Sequence, residues 1–301
     1  MKVELSNKKI GSYKDLQIQN ISKECTELYL QCNELRSLEE FPDLPNLSNL
    51  NLGSNQLNIL EGFSNLSNLT NLNLWNNKLT SLEGFPVLPN LINLELTENK
   101  LTSLEGFPVL PKLEEINLIN NKLTSLEGFP NLSNLTYLYL DYNQLNNLEG
   151  LPDLPNLTNL NLENNQLTIL EGLPNLPKLI YLYLESNQLT SLEGLPVLPN
   201  LQVLYLEFNQ LSYFKIDYLE TIKFYYYLLE KLEKTYEEEN KETKEYINNN
   251  NKDDINELIV ICNKYDNIRN DLGKIIKEYL SCDYSNLILE EYYKEYLGNM
   301  E

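Results

Sequence analysis

The chain has 301 residues, 42% of them hydrophobic, and carries a formal net charge of −21 with a pI near 4.4. That length accommodates one large domain or two modest ones with a sizeable core. A negative field of this size repels nucleic acid and anionic membrane surfaces and favours a basic protein partner.

Histidine is absent altogether, which excludes Ser-His-Asp and Cys-His catalysis and histidine-ligated zinc. The opening MKVELSNKKIGSYKDLQ lacks the apolar run of a secretory signal. The aliphatic run LIVIC at 258–262, like every other apolar run, is far short of the ~18 residues that a membrane span needs. Cys25, Cys32, Cys262 and Cys282 show no CxxC spacing and fit reduced thiols better than a disulfide framework. The expected location is the cytoplasm, or the host cytoplasm if the source is a virus or parasite. Residues 1–24 read as an N-terminal cap anchored by Ile10, Leu16, Ile18 and Ile21.

From residue 25 to 211 one unit recurs. Asn33, Asn55, Asn77, Asn99, Asn121, Asn143, Asn165, Asn187 and Asn209 lie 22 residues apart without an insertion. In the copy that begins at Leu91, Leu91, Leu94 and Leu96 spell LxxLxL, followed by Asn99, Leu101, Leu104, Gly106, Phe107 and Leu110. This pattern resembles the leucine-rich repeat family over residues 25–211, and its LEGLPxLPxL half is similar to the internalin and phosphatase-regulator class. The resemblance implies an α/β repeat solenoid: a right-handed leucine-rich repeat horseshoe with a parallel sheet on its concave side. Each copy buries its leucines only against its neighbours. The asparagine ladder is expected to bond the backbone of adjacent turns. All 13 prolines fall between Pro42 and Pro199, so the convex return should be extended or 3₁₀ rather than helical. Gly62, Gly84, Gly106, Gly128, Gly150, Gly172 and Gly194 are placed to permit its turn.

The variable letters are the outward positions of the strand, where recognition belongs. Early copies offer mainly asparagine: Asn49 and Asn51, Asn71 and Asn73, Asn93 and Glu95. Later copies offer Tyr137 and Tyr139, Asn159 and Asn161, Tyr181 and Tyr183, Val203 and Tyr205. Just beyond the strand come Asp141 with Tyr142, Glu163, Glu185, and Glu207 with Phe208. Tyrosine supplies contact area and a hydrogen-bonding tip, and carboxylates beside it select lysine or arginine. Tyr183 and Tyr205 occupy the same position on neighbouring strands, close enough to stack. The candidate partner site is therefore Tyr137, Tyr139, Asp141, Tyr142, Glu163, Tyr181, Tyr183, Glu185, Tyr205, Glu207 and Phe208. A separate glutamate row, from Glu39 through Glu61, Glu83, Glu105, Glu127, Glu149 and Glu171 to Glu193, reads as a solvated stripe.

Beyond Leu211 the repeat stops. Residues 212–301 contain no proline and show helical periodicity at 218–236 and 253–280, with a third, shorter helix at 285–298 and an acidic, Asn-rich linker at 237–251. They read as a helical C-terminal cap or extension. Bacterial leucine-rich repeat ubiquitin ligases carry a catalytic cysteine after their repeats. Here Cys282 abuts Asp283 directly, which departs from that signature, and nearby acids raise a thiol pKa. No phosphate-binding loop and no DxDxDG calcium string is present. The expectation is a non-catalytic protein-interaction module with no cofactor and no metal, binding a basic segment of another protein. The alternative is a substrate-recognition or regulatory subunit, similar to phosphatase regulators or associated with ubiquitin ligases, with an active or recruiting tail. The Asn, Lys, Ile and Tyr bias, with Arg36 and Arg269 the only arginines, resembles repeat proteins of giant amoeba viruses. Amoebae and other AT-rich eukaryotes are alternative sources.

Overall fold

The computed structural model describes residues 1–211, apart from 15–19, 40, 63–65, 193 and 197. The chain divides into two compact units, residues 1–190 with 194–210, and residues 191–193 with 211–301. The expected helices of 212–301, the linker at 237–251, Cys262, Cys282, Glu193, Leu16 and Ile18 lie outside the described residues.

Among the described residues, ten three-residue strands form one parallel sheet in strict chain order. They are β1 (Lys2–Glu4), β2 (Glu27–Tyr29), β3 (Asn49–Asn51), β4 (Asn71–Asn73), β5 (Asn93–Glu95), β6 (Glu115–Asn117), β7 (Tyr137–Tyr139), β8 (Asn159–Asn161), β9 (Tyr181–Tyr183) and β10 (Val203–Tyr205). From β2 onward each residue pairs with the one 22 positions ahead, as Leu94 does with Ile116. Successive side chains of a strand point to opposite faces, so from β2 to β9 the central leucine or isoleucine of each triplet is buried while its flanks look outward. In the coil that starts at Leu91, Leu91, Leu94, Leu96, Leu101, Leu104, Phe107 and Leu110 are all buried. Each contributes about 1.5–3 kcal/mol of gross hydrophobic stabilisation. Phe85, Phe107 and Phe129 stack edge-on down the return side at 6.1 Å spacing.

The return side contains no helix among the described residues. Two tight turns per coil shape it, and both are written in the sequence. In Leu170-Glu171-Gly172-Leu173 the amide of Leu173 donates to the carbonyl of Leu170 at 3.1 Å. Gly172, in the third position, has φ +87°, and a Cβ there would sit 2.6 Å from the nitrogen of Glu149 in the preceding coil. Positive φ at that position is the type II turn, which selects glycine. In Leu88-Pro89-Asn90-Leu91 the amide of Leu91 donates to Leu88 at 3.1 Å, with proline at the second position where its fixed φ fits.

The asparagine ladder bonds as its spacing implied. Asn121 is typical: Nδ2 donates to the carbonyls of Leu96 and Leu118, and Oδ1 accepts from the amide of Leu101 at 3.0 Å. One side chain thus satisfies buried backbone groups of two coils at once.

A second, exposed ladder on the return side was not apparent in the sequence. Nδ2 of Asn46, Asn68, Asn90, Asn134, Asn156 and Asn200 each donates to a carbonyl of the coil before, as Asn134 does to Pro111 at 2.7 Å. Where lysine takes that place, Lys112 and Lys178 donate instead to Oδ1 of Asn90 and Asn156.

The first residues add a degenerate coil to the sheet. Val3 pairs with Leu28, an offset of 25 rather than 22. Asn33 Oδ1 accepts from the amides of Lys8 and Ile10, so the first coil borrows the asparagine it lacks. Ile10 is buried as expected, Tyr13 joins it against Phe41 at 5.0 Å, and Ile21 is half-buried.

Candidate functional site

The outward flanks of the strands form a continuous face, and its two halves differ in chemistry. Over β2–β6 it holds a shallow depression of about 280 Å³ lined mainly by asparagine, with Tyr29 at one end and Glu95, Glu115 and Asn117 at the other. Over β7–β10 it carries the tyrosines. Tyr137 and Tyr205 are exposed, while Tyr139, Tyr181 and Tyr183 are half-buried. Tyr183 and Tyr205 stack across β9 and β10 with centroids 5.2 Å apart and planes at 20°, as their register implied. Tyr137 and Tyr139 stack along β7 at 6.5 Å and 13°. Burial raises the phenols of Tyr139 and Tyr183 above their ordinary pKa.

Several outward asparagines are structural as well as exposed. Oδ1 of Asn51, Asn73, Asn117 and Asn161 accepts from the amide two residues on, at Gly53, Trp75, Ile119 and Glu163. Glu95 does the same for Thr97 at 2.7 Å. These local side-chain bonds close the bend that ends each strand. The next residue lies in left-handed backbone, at Ser54, Asn76, Glu98, Asn120, Tyr142, Asn164, Ser186 and Phe208.

Tyr142 (φ 55°) and Phe208 (φ 58°), placed beyond the strands by the repeat, are corner residues in left-handed backbone. Both are solvent-exposed, Phe208 by 84%. Bulky side chains are disfavoured in this region, whereas asparagine tolerates it. Tyr142→Asn is expected to stabilise the fold by about 1 kcal/mol, read as a raised denaturation midpoint with an unchanged m-value. An unchanged or lowered midpoint would show that the ring makes contacts that outweigh the strain.

The carboxylate column also departs from expectation. Asp141 is buried, 6% exposed, rather than offered to solvent. Where tyrosine replaces asparagine at the end of the strand, the Asx bond is lost. The backbone amides of residues 141 and 185 favour the charged forms of their own carboxylates, but less than burial disfavours them. Asp141 Oδ1 and Glu185 Oε2 have no hydrogen-bond partner among the described residues. Burial, reinforced by the neighbouring Glu163, pushes the Asp141 carboxyl up to about 6. Burial likewise raises Glu185, with Glu163 and Glu207 adding repulsion. Glu163 and Glu185 are half-buried and Glu207 is exposed. Among the described residues no set of His, Cys, Asp or Glu is arranged to hold a metal ion, and no helix is long and apolar enough to cross a membrane. The glutamate row from Glu39 to Glu171 is exposed along the return turns.

Comparison with known proteins follows the same repeat. Residues 23–79, 89–145 and 111–167 match the family model described as leucine rich repeat. Residues 67–109, 155–197 and 177–218 match the two-copy model of leucine rich repeats. No curated protein sequence matches significantly. Among solved structures the chain is similar to YopM from Yersinia enterocolitica, with a TM-score of 0.51 and 34% identity over 62% of this chain and 38% of that one. It is also similar to internalin C2 from Listeria monocytogenes, with a TM-score of 0.53 and 30% identity over 60% of this chain and 80% of that one. A third likeness is to a structure of the complex of latrophilin 3, Unc5D and the FLRT2 leucine-rich repeats, at a TM-score of 0.53 and 26% identity over 63% of this chain and 62% of that one. The chain spans well under half the length of YopM.

Proposed function

The chain belongs to the leucine-rich repeat family, whose members act as protein-interaction modules, and on that premise we propose that it is a non-catalytic module binding a basic segment of another protein over β7–β10. The observation that carries this reading is the gathering of outward tyrosines on β7, β9 and β10 beside Glu163, Glu185 and Glu207. Rigid aromatic side chains with a polar tip are the side chains most enriched at interface centres. Acid groups beside them, in a chain of net charge −21, attract and orient a cationic partner. FLRT2, to which the fold is similar, is found in a complex with other proteins. The free thiols of Cys25 and Cys32 suit a reducing compartment, and we place the protein in the cytoplasm.

The test is a triple variant with Tyr139, Tyr183 and Tyr205 replaced by alanine. These side chains stand on the outer face, so the leucine core and both asparagine ladders are untouched. Affinity capture from native cells, read by mass spectrometry, is expected to recover a basic partner with the wild type. The variant should lose it, with affinity at least about tenfold lower, since each hot-spot truncation typically costs over 1 kcal/mol. Equal recovery by a variant of unchanged thermal stability would remove this face as the site.

A further inference from the structure

The depression over β2–β6 lies outside the tyrosine half, and its polar side chains are held in fixed orientations. On the first flank of the strands a hydrogen-bond relay runs one way. The Thr70 hydroxyl donates to the carbonyl of Ser48 at 2.9 Å. A hydroxyl has one proton to give, so toward Asn71 it can only accept, and it does so from Nδ2 at 2.9 Å. Asn71 Oδ1 in turn accepts from Nδ2 of Asn93 at 2.6 Å. The carbonyl at the end of the relay thereby sets the orientation of both amides. Asn93 is left with Oδ1, an acceptor that takes no bond from a described residue. Its register partner on β6 is Glu115, whose carboxylate likewise has no hydrogen-bond partner among the described residues. Two acceptors stand side by side.

On the second flank the order is reversed. Oδ1 of Asn51 and Asn73 accepts from the amides of Gly53 and Trp75 at 2.9 and 3.0 Å. That leaves Nδ2 of each as a donor with no acceptor among the described residues. The two are register partners on β3 and β4. Neighbouring strands are about 4.8 Å apart, and same-face residues along a strand about 6.6 Å. Donors and acceptors thus lie within one small grid, and their orientations are set before any ligand arrives, which lowers the entropy cost of binding.

Charge and shape narrow the ligand. Glu95 and Glu115 line the β5–β6 end, in a chain of net charge −21, so phosphates and carboxylates are repelled. A volume of about 280 Å³ is that of a small-ligand cleft. Leu72 and Leu94, the apolar residues of the lining, are buried, so no pocket receives the aromatic or aliphatic anchor on which a protein partner depends. Tyr29 closes the β2 end, and its hydroxyl is taken by Glu27 at 3.1 Å, so the ring is what it offers. An alcohol both donates and accepts and rotates to suit. A chain of alcohols therefore satisfies adjoining donors and acceptors together, without charge and without an apolar anchor.

We propose that the depression over β2–β6 binds a neutral oligosaccharide, whose hydroxyls donate to Asn93 and Glu115 and accept from Asn51 and Asn73, with a sugar ring packed on Tyr29. The site is separate from the protein-binding face over β7–β10 and does not depend on it.

The experiment uses the full chain and saturation-transfer NMR with maltohexaose, cellohexaose, mannohexaose and N-acetylchitohexaose as probes. At least one is expected to receive saturation and to be displaced by its own unlabelled excess. Glu115→Gln exchanges an acceptor oxygen for a donor. Asn73→Asp keeps an oxygen for the Trp75 amide but loses the outward donor. Each is expected to weaken the bound probe at least about fivefold, while the triple tyrosine variant binds it as the wild type does. Absence of transfer to all four probes overturns the proposal, as does unchanged affinity in both variants. Loss of binding in the triple tyrosine variant moves the sugar to β7–β10 and overturns it too. Equal transfer to the neutral peptide (Gly-Ser)3 shows a surface without preference for sugar and has the same consequence.

Discussion

Asn121→Ala is expected to destabilise the solenoid by about 3–5 kcal/mol, several times the effect of Asn134→Ala. The two substitutions are chemically identical and sit 13 residues apart, and only their surroundings differ. Asn121 is buried. Its removal strips the amide of Leu101 and the carbonyls of Leu96 and Leu118 of their side-chain partner. Each buried backbone group left unpaired costs about 1–3 kcal/mol. Asn134 is exposed and makes one bond, to the carbonyl of Pro111; water replaces it at under about 1 kcal/mol. Asn121→Asp is expected to be no better than alanine. It keeps the acceptor for Leu101 but turns an anionic oxygen toward the carbonyls that Nδ2 now serves. Urea denaturation of the three variants checks the order. Because each coil touches only its neighbours, hydrogen exchange should show protection lost first around β5 and β6. Equal midpoints for the alanine variants at positions 121 and 134 would refute the structural role assigned to the inner ladder.

That contrast also marks what was legible in the sequence. The inner ladder was, because a 22-residue ruler runs through nine asparagines and only a buried backbone demand keeps one residue type at such a spacing. The leucine core and the absence of helix from the return side followed from the same period and from proline. The outer ladder was hidden because Lys112 and Lys178 interrupt it and a single exposed bond tolerates them. β1 was hidden because its offset of 25 falls off the ruler, although Val3 and Leu5 repeat the alternation of Leu28 and Leu30.

The site was half legible. Alternation along the strand placed the tyrosines outward and aligned Tyr183 with Tyr205. It could not show that the asparagines flanking the strands cap their own bends, since that depends on left-handed backbone two or three residues later. For the same reason it could not tell that Asp141 is buried. Tyr142 and Phe208 lie three residues beyond their strands, at a left-handed corner that alternation does not show.

The buried Asp141 gives the second large effect, a pH dependence of stability with a definite sign. Its carboxyl titrates at about 6 in the folded chain, against about 3.9 when unfolded. Over that interval the folded state binds more protons than the unfolded one, so stability falls as pH rises. The favourable contribution is complete below about pH 4 and is lost as pH climbs through 6. Two units correspond to about 3 kcal/mol, and solvent screening near the open face lowers the expectation to roughly 1–2 kcal/mol. Asp141→Asn removes the buried charge at nearly the same side-chain volume. It is expected to be more stable than the wild type by that amount at pH 7.5 and nearly equal to it at pH 4.5. The exposed Asp153 is the control, because Asp153→Asn changes net charge equally. Chemical denaturation across pH 4.5–7.5 should therefore give a flatter stability profile for Asp141→Asn alone. Parallel profiles for the two variants would mean that relief of overall negative charge accounts for the gain. Glu185 is raised by burial as well, so a cation that binds its charged form is expected to bind more weakly as pH falls and Glu185 takes up its proton, while the fold gains stability from Asp141.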